Sequence, residues 1–184
     1  MYYVLQCHEP DDPSAPIVAR FSDLDDSELD WFQGQPFEEP PAYPIPVSTM
    51  GGELPDLSEV PVPLMSRRLA AALGRAGVDN IDFYPAEILY EPTGARLDSH
   101  LAFNLIGLVA AADLAASRYD APEGPLISVD FDSLAIDDAK TGGALMFRLA
   151  ECVTCIIVHE SVRNIVEAEG IDTLDFLDPK NWIG

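Results

Sequence analysis

The chain has 184 residues, 48% of them apolar, which is enough for one domain with its own core. Thirty-two acids against ten Lys+Arg give a formal net charge of −22. Such a surface repels nucleic-acid phosphates and anionic lipid heads and attracts basic partners, so neither nucleic acid nor membrane is expected as a partner.

The first residues, MYYVLQCHEPDD, lack the basic and apolar regions of a signal peptide. No stretch approaches the ~18 apolar residues of a spanning helix. Three cysteines, Cys7, Cys152 and Cys155, make no disulfide framework. Their odd number suits a reducing compartment, and the expected location is cytoplasmic.

Read in chain order, YYVLQC has the composition of a short strand, the turn-rich HEPDDPSAP follows, and IVARF is a second strand candidate. FSDLDDSELDWFQGQPFEEPP then carries seven acids and no base. Residues 36–63 hold eight of the sixteen prolines, which predicts an extended, irregular surface segment. Its apolar residues (Phe37, Tyr43, Ile45 and Val47 among them) are too many for a free linker. Residues 1–63 are therefore expected to be an acidic, Pro-rich arm packed on an α+β core at 64–184.

Within that core, Ser66 is placed to cap a helix whose Leu69, Ala72, Leu73 and Ala76 share one face, and Gly77 stops it. IDFYPAEILY reads as a strand in which Pro85 marks a bulge or an edge. HLAFNLIGLVAAADLAASRY is ambiguous: alanine favours helix, and the front half equally suits a buried strand. PLISVDFDSLAI and ALMFRL read as strands, the second preceded by the turn Thr141-Gly142-Gly143. CIIV has the length of a buried strand; Glu160 or Ser161 opens a helix with Val162, Ile165 and Val166 on one face, Gly170 ends it, and IDTLDFL is a last strand. The fold class expected is α+β: a single domain with a mixed sheet and about three helices.

Several constellations invite a chemical reading. Cys152, Cys155 and His159 are spaced to seed a zinc site, but a closed site needs a fourth ligand and no second C-x-x-C exists. Strand alternation sends positions 152 and 155 to opposite faces, so buried structural cysteine is the better reading. HESVR begins like a zincin motif but carries Arg163 where the second histidine belongs. His159, Glu160 and Ser161 are adjacent, and adjacent side chains do not face one another as a triad requires. Asp130-Phe131-Asp132 is the kind of pair that binds Mg²⁺, yet 32 acids make such pairs expected by chance. Neither a metal nor a cofactor is expected.

The order of segments in the C-terminal part resembles a bacterial immunity-protein family of polymorphic toxin and type VI secretion systems. The resemblance runs over roughly residues 43–177. It rests on an Asn-led apolar segment ending in Asp and Ser (Asn104, Asp113, Ser117), a Phe-Arg strand (Phe147, Arg148), and an I-I-V-x-E strand (Ile156, Ile157, Val158, Glu160). A helix and a Gly-Ile-to-Phe ending follow (Gly170, Ile171, Phe176), and PDLSEVPVPLMSRRLAAAL fits the pattern before the first helix. The family's usual serine at position 159 is His159 here. The resemblance implies a non-enzymatic inhibitor that binds a cognate toxin or effector domain. It carries no catalytic residue across, and it favours strand over helix at 103–109.

The net charge implies a basic toxin, and the contact surface expected is the base-free stretch from Asp23 to Glu39. Asp23, Asp25, Asp26, Glu28, Asp30, Glu38 and Glu39 would supply charge there, and Trp31 and Phe32 anchors. The alternative for this stretch is a solvated acidic loop whose aromatics tuck into the core. The alternatives for the whole protein are a structural or adaptor protein of a secretion system and a carboxylate enzyme using a divalent metal.

Overall fold

The computed structural model describes residues 1–7, 19–21, 30–50, 54–59, 62–120 and 128–184, with backbone alone at 19–21. The turn expected at 8–16, positions 17 and 18, Asp23, Asp25, Asp26, Glu28 and the strand start at Pro125 lie outside the described residues.

Strands β1 (Tyr2–Cys7), β2 (Ala19–Phe21), β3 (Ile45–Thr49), β4 (Leu57–Ser58) and β5 (Leu64–Ser66) precede helix α1 (Arg67–Arg75). Then come β6 (Ile81–Tyr90), β7 (Ala95–Leu97), β8 (His100–Leu105), β9 (Leu108–Val109), β10 (Arg118–Asp120) and β11 (Asp130–Ser133). Strands β12 (Met146–Leu149) and β13 (Cys152–His159), helix α2 (Glu160–Ala168) and β14 (Leu174–Leu177) complete the order.

One sheet runs β14-β1-β13-β12-β9, antiparallel except where β9 lies parallel to β12. The other runs β2-β3-β6-β8-β5-β4, with β7 also on β6 and one parallel pair, β3 with β6. Strands β10 and β11 form a separate two-stranded ribbon. The fold is thus α+β with mixed sheets. Among the described residues it has two α-helices where the sequence suggested about three; other helical turns are 3-10 segments at Asp138–Lys140 and Pro179–Asn181.

The apolar runs Tyr2–Leu5 of β1 and Cys155–Val158 of β13 are buried on both faces. On β1, Tyr3 and Leu5 join a core with Ile156 and Val158 of β13, while Tyr2 and Val4 join another with Ile157. The first of these cores also takes Leu69, Ala72 and Leu73 of α1, Val162 and Val166 of α2, and Phe103 of β8, so it ties the two sheets to both helices. Ser66 caps α1 as expected, its Oγ accepting from the Leu69 amide at 3.1 Å.

Three sequence expectations change and one open question is decided. Residues 45–49, in the Pro-rich segment expected to be irregular, form β3 and pair with β2 and β6, so this piece is sheet. Pro85 lies inside the ten-residue β6: pairing with β8 ends at Pro85 and pairing with β3 begins at Ala86, so the proline marks a change of partners. The alanine-rich stretch, left open between helix and strand, makes no helix: β8 and β9 are strands, as the resemblance implied for 103–109, Gly107 between them has φ +122°, and Ala111 and Ala112 are buried in the core cluster that includes Tyr2 and Trp182. Burial and pairing override helix propensity worth a few tenths of a kcal/mol per residue. Finally, Cys152 and Cys155 both lie within β13 and face one core cluster. The ladder skips from Arg148↔Ile156 to Leu149↔Cys152, and this irregularity breaks the alternation.

Candidate functional site

Residues 30–44 cross the outside of the second sheet as a loop fastened from below. Asp30 shapes its start, Oδ1 accepting from the Phe32 amide at 3.1 Å and Oδ2 from Gln33 Nε2 at 2.7 Å. Trp31 is 5% exposed and packs among Ile45, Val47, Leu64, Ile88 and Ala102. Its ring meets Phe37 edge-on at 4.8 Å and Tyr84 at 5.9 Å, geometries that add to simple burial.

Polar side chains of the core also reach this loop. Asn104 on β8, fully buried, donates from Nδ2 to the Gln35 carbonyl at 2.8 Å. The Gly107 amide donates to the Gly34 carbonyl at 2.8 Å. Arg148 on β12, also fully buried, has its guanidinium 4.7 Å from the centre of the Phe32 ring, close enough for cation–π attraction. The same guanidinium donates to Glu59 Oε1 at 2.8 Å and to the Val153 carbonyl, in the irregular part of β13, at 3.1 Å. Burial pushes the Glu59 carboxyl above its ordinary value, against the pull of Arg148.

Of the residues singled out in sequence, Asp30, Glu38 and Glu39 are exposed, Phe32 is half-buried over Arg148, and Trp31 is core. Asp23, Asp25, Asp26 and Glu28 lie outside the described residues. Tyr43, counted in sequence among the apolar residues that pack this segment on the core, is instead 80% exposed at the outer end of the loop. Its proline-flanked setting, PAYPIP, was the available signal, because prolines hold a segment away from a packed ladder. Arg148 and Asn104 carried no signal beyond the family resemblance.

Two clefts lie elsewhere. One, of about 680 Å³, is lined by Asp56, Ser66, Arg68, Tyr90, Ser99 and His100 among others. Asp56, 2% exposed, accepts from Ser66 Oγ, from Arg68 Nε at 2.6 Å and from Thr173 Oγ1 at 2.6 Å. Burial raises its pKa, but these bonds outweigh burial and the net shift is downward. His100 Nε2 lies 2.9 Å from the Pro55 carbonyl, which can only accept, so Nε2 carries a proton. Burial lowers the ring's pKa, and the neutral ring accepts at Nδ1 from Ser99 Oγ at 2.8 Å.

The second cleft, about 620 Å³, brings together all three cysteines. Burial pushes the Cys155 thiol well above its ordinary value and raises Cys7, the reverse of an activated nucleophile. Among the described residues no group of three or more His, Cys, Asp or Glu is arranged to hold a metal. Asp130 and Asp132 both lie exposed on β11.

His159 and Ser161 do meet, contrary to the expectation for near neighbours: Nδ1 lies 2.9 Å from Ser161 Oγ. The reason is local. His159 is the N-cap of α2, its Nδ1 accepting from the Ser161 amide at 3.2 Å, so the ring folds over the first turn. The helix opens at Glu160, one of the two starts the sequence offered, and its cap is His159.

These features describe an α+β protein that presents a docked acidic loop on its surface. The chain belongs to the Immunity protein family (Imm11), which matches residues 17–181. No curated protein matches it. Membership implies a toxin partner and a toxin-neutralising role, and immunity proteins are generally non-catalytic. The residues behind the family resemblance have identifiable structural work. The Asp113 carboxylate accepts from the Ala115 and Ala116 amides, and Ser117 Oγ accepts from the Ala135 amide at 2.9 Å, fixing the turn before β10. Asn104 and Arg148 hold the loop.

Proposed function

We propose that this protein is a cytoplasmic immunity protein that binds a cognate secreted effector domain one-to-one and blocks it without catalysis. Family membership carries this reading, and the net charge of −22 supports a basic toxin, delivered in a polymorphic or type VI setting. The contact surface proposed runs from Asp23 to Glu39, with Asp23, Asp25, Asp26, Glu28, Asp30, Glu38 and Glu39 as charges and Phe32 at its edge. Trp31 supports it from inside, and the exposure of Tyr43 supports adding that ring as an anchor.

The test is co-expression with the toxin domain encoded immediately upstream. Cells carrying both should grow, and cells carrying the toxin domain alone should die. Continued killing with this protein soluble and abundant would sink the proposal.

A further inference from the structure

Arg148 and Asn104 are both fully buried, and neither is fully bonded: among the described residues Arg148 Nε and Asn104 Oδ1 have no hydrogen-bond partner. A buried polar atom left unbonded weakens a fold, and apolar residues of similar volume often serve stability better. Stability alone therefore does not account for these two side chains.

What they share is the segment above them. Asn104 binds the Gln35 carbonyl, and Arg148 supports the Phe32 ring. Between those two points the Gly107 amide binds the Gly34 carbonyl. Gly34 has φ +65°, and a Cβ there would come within 2.9 Å of the Leu108 backbone nitrogen, so the loop backbone lies directly on β9. Three successive contacts thus come from β8, from the β8–β9 turn and from β12, and all fall between Phe32 and Gln35. Pro36, Pro40, Pro41 and Pro44 further restrict the segment that follows, which carries Glu38 and Glu39 outward.

We propose that Arg148 and Asn104 are positioning residues for partner binding: they clamp the loop at Phe32–Gln35 so that Asp30, Glu38 and Glu39 meet a basic protein surface in a preset geometry. This rests on the proposed function, and it says how the contact surface is held. A loop ordered before contact loses less conformational entropy on binding, so the clamp acts on affinity without touching the partner.

The experiment uses Asn104→Ala, Arg148→Lys and, from the loop side, Gly34→Val, which leaves both buried side chains in place. In the isolated proteins two quantities are read: chymotryptic cleavage after Phe37 and hydrogen exchange at the Gly107 amide. Both should rise about tenfold or more in each variant, while amides of the β1–β13 ladder keep their protection. Association with the upstream-encoded toxin domain should slow in parallel. Wild-type cleavage and exchange in all three variants would overturn the clamp, as would a uniform loss of protection across both sheets. Selective loop opening with unchanged association would overturn the link to binding. A wild-type protein that fails to bind the toxin domain at all would overturn the proposed function instead, a result distinguishable because the cleavage and exchange readings need no partner.

Discussion

His100 and Asp56 lie within one cleft and respond to pH in separate windows. The neutral His100 ring is bonded at both nitrogens, and burial holds its pKa below the ordinary value of about 6.5. As pH falls below that value the unfolded chain takes up the proton first, so stability is lost downward through the folded pKa. His100→Gln, which removes the titration, should flatten the fall in urea midpoint between about pH 7 and pH 5. The same slope in wild type and variant would show that His100 is not its source. Asp56, with its pKa lowered, contributes stability above about pH 4 and loses it only at lower pH, outside that window. At this scale Ser66 was legible as a cap from its place before an apolar-periodic run. The Asp56 hub was not, because Thr173 reaches it from a strand-end 117 residues away.

At the scale of elements, α2 shows an imidazole doing the work of a helix cap. His159 caps the helix through Nδ1 as a serine would through Oγ. The ring also meets Tyr2 edge-on at 5.1 Å, a contact that either substitution removes. His159→Ser should therefore unfold at a higher urea concentration than His159→Ala, by the equivalent of about 1 kcal/mol. Equal midpoints would mean that the cap contributes nothing. The strand β13 was legible from its β-branched run, but its irregularity was not, since the pairing that skips from Ile156 to Cys152 depends on β12. The alanine-rich stretch after Asn104 stayed ambiguous in sequence for a related reason: propensity is a local quantity, and the burial of Ala111 and Ala112 in the cluster that includes Trp182 is not.

At the scale of the whole molecule, the charge of −22 predicts how binding behaves. Association with a basic toxin domain should slow by about tenfold or more between low and high salt, since steering by exposed charge is screened. Neutralising Glu38 and Glu39 together as Gln should slow association at low salt by about threefold and have little effect at high salt. Tyr43→Ala should act mainly on dissociation, as loss of an anchor does. Stopped-flow association and surface-based dissociation measurements separate the two effects. A salt-independent rate would count against a basic partner.

The amino-acid sequence by itself determined the α+β class, the caps and stops of α1, the apolar strands β1 and β13, and the family. All of these are written in local pattern, composition or segment order. Only the tertiary structure decided that part of the Pro-rich segment is sheet, that Trp31 is core while Tyr43 faces solvent, and that Asn104 and Arg148 meet the same loop. Each of those depends on contacts between residues distant in the chain. Side-chain periodicity reports which face is buried, but it does not report what lies against that face.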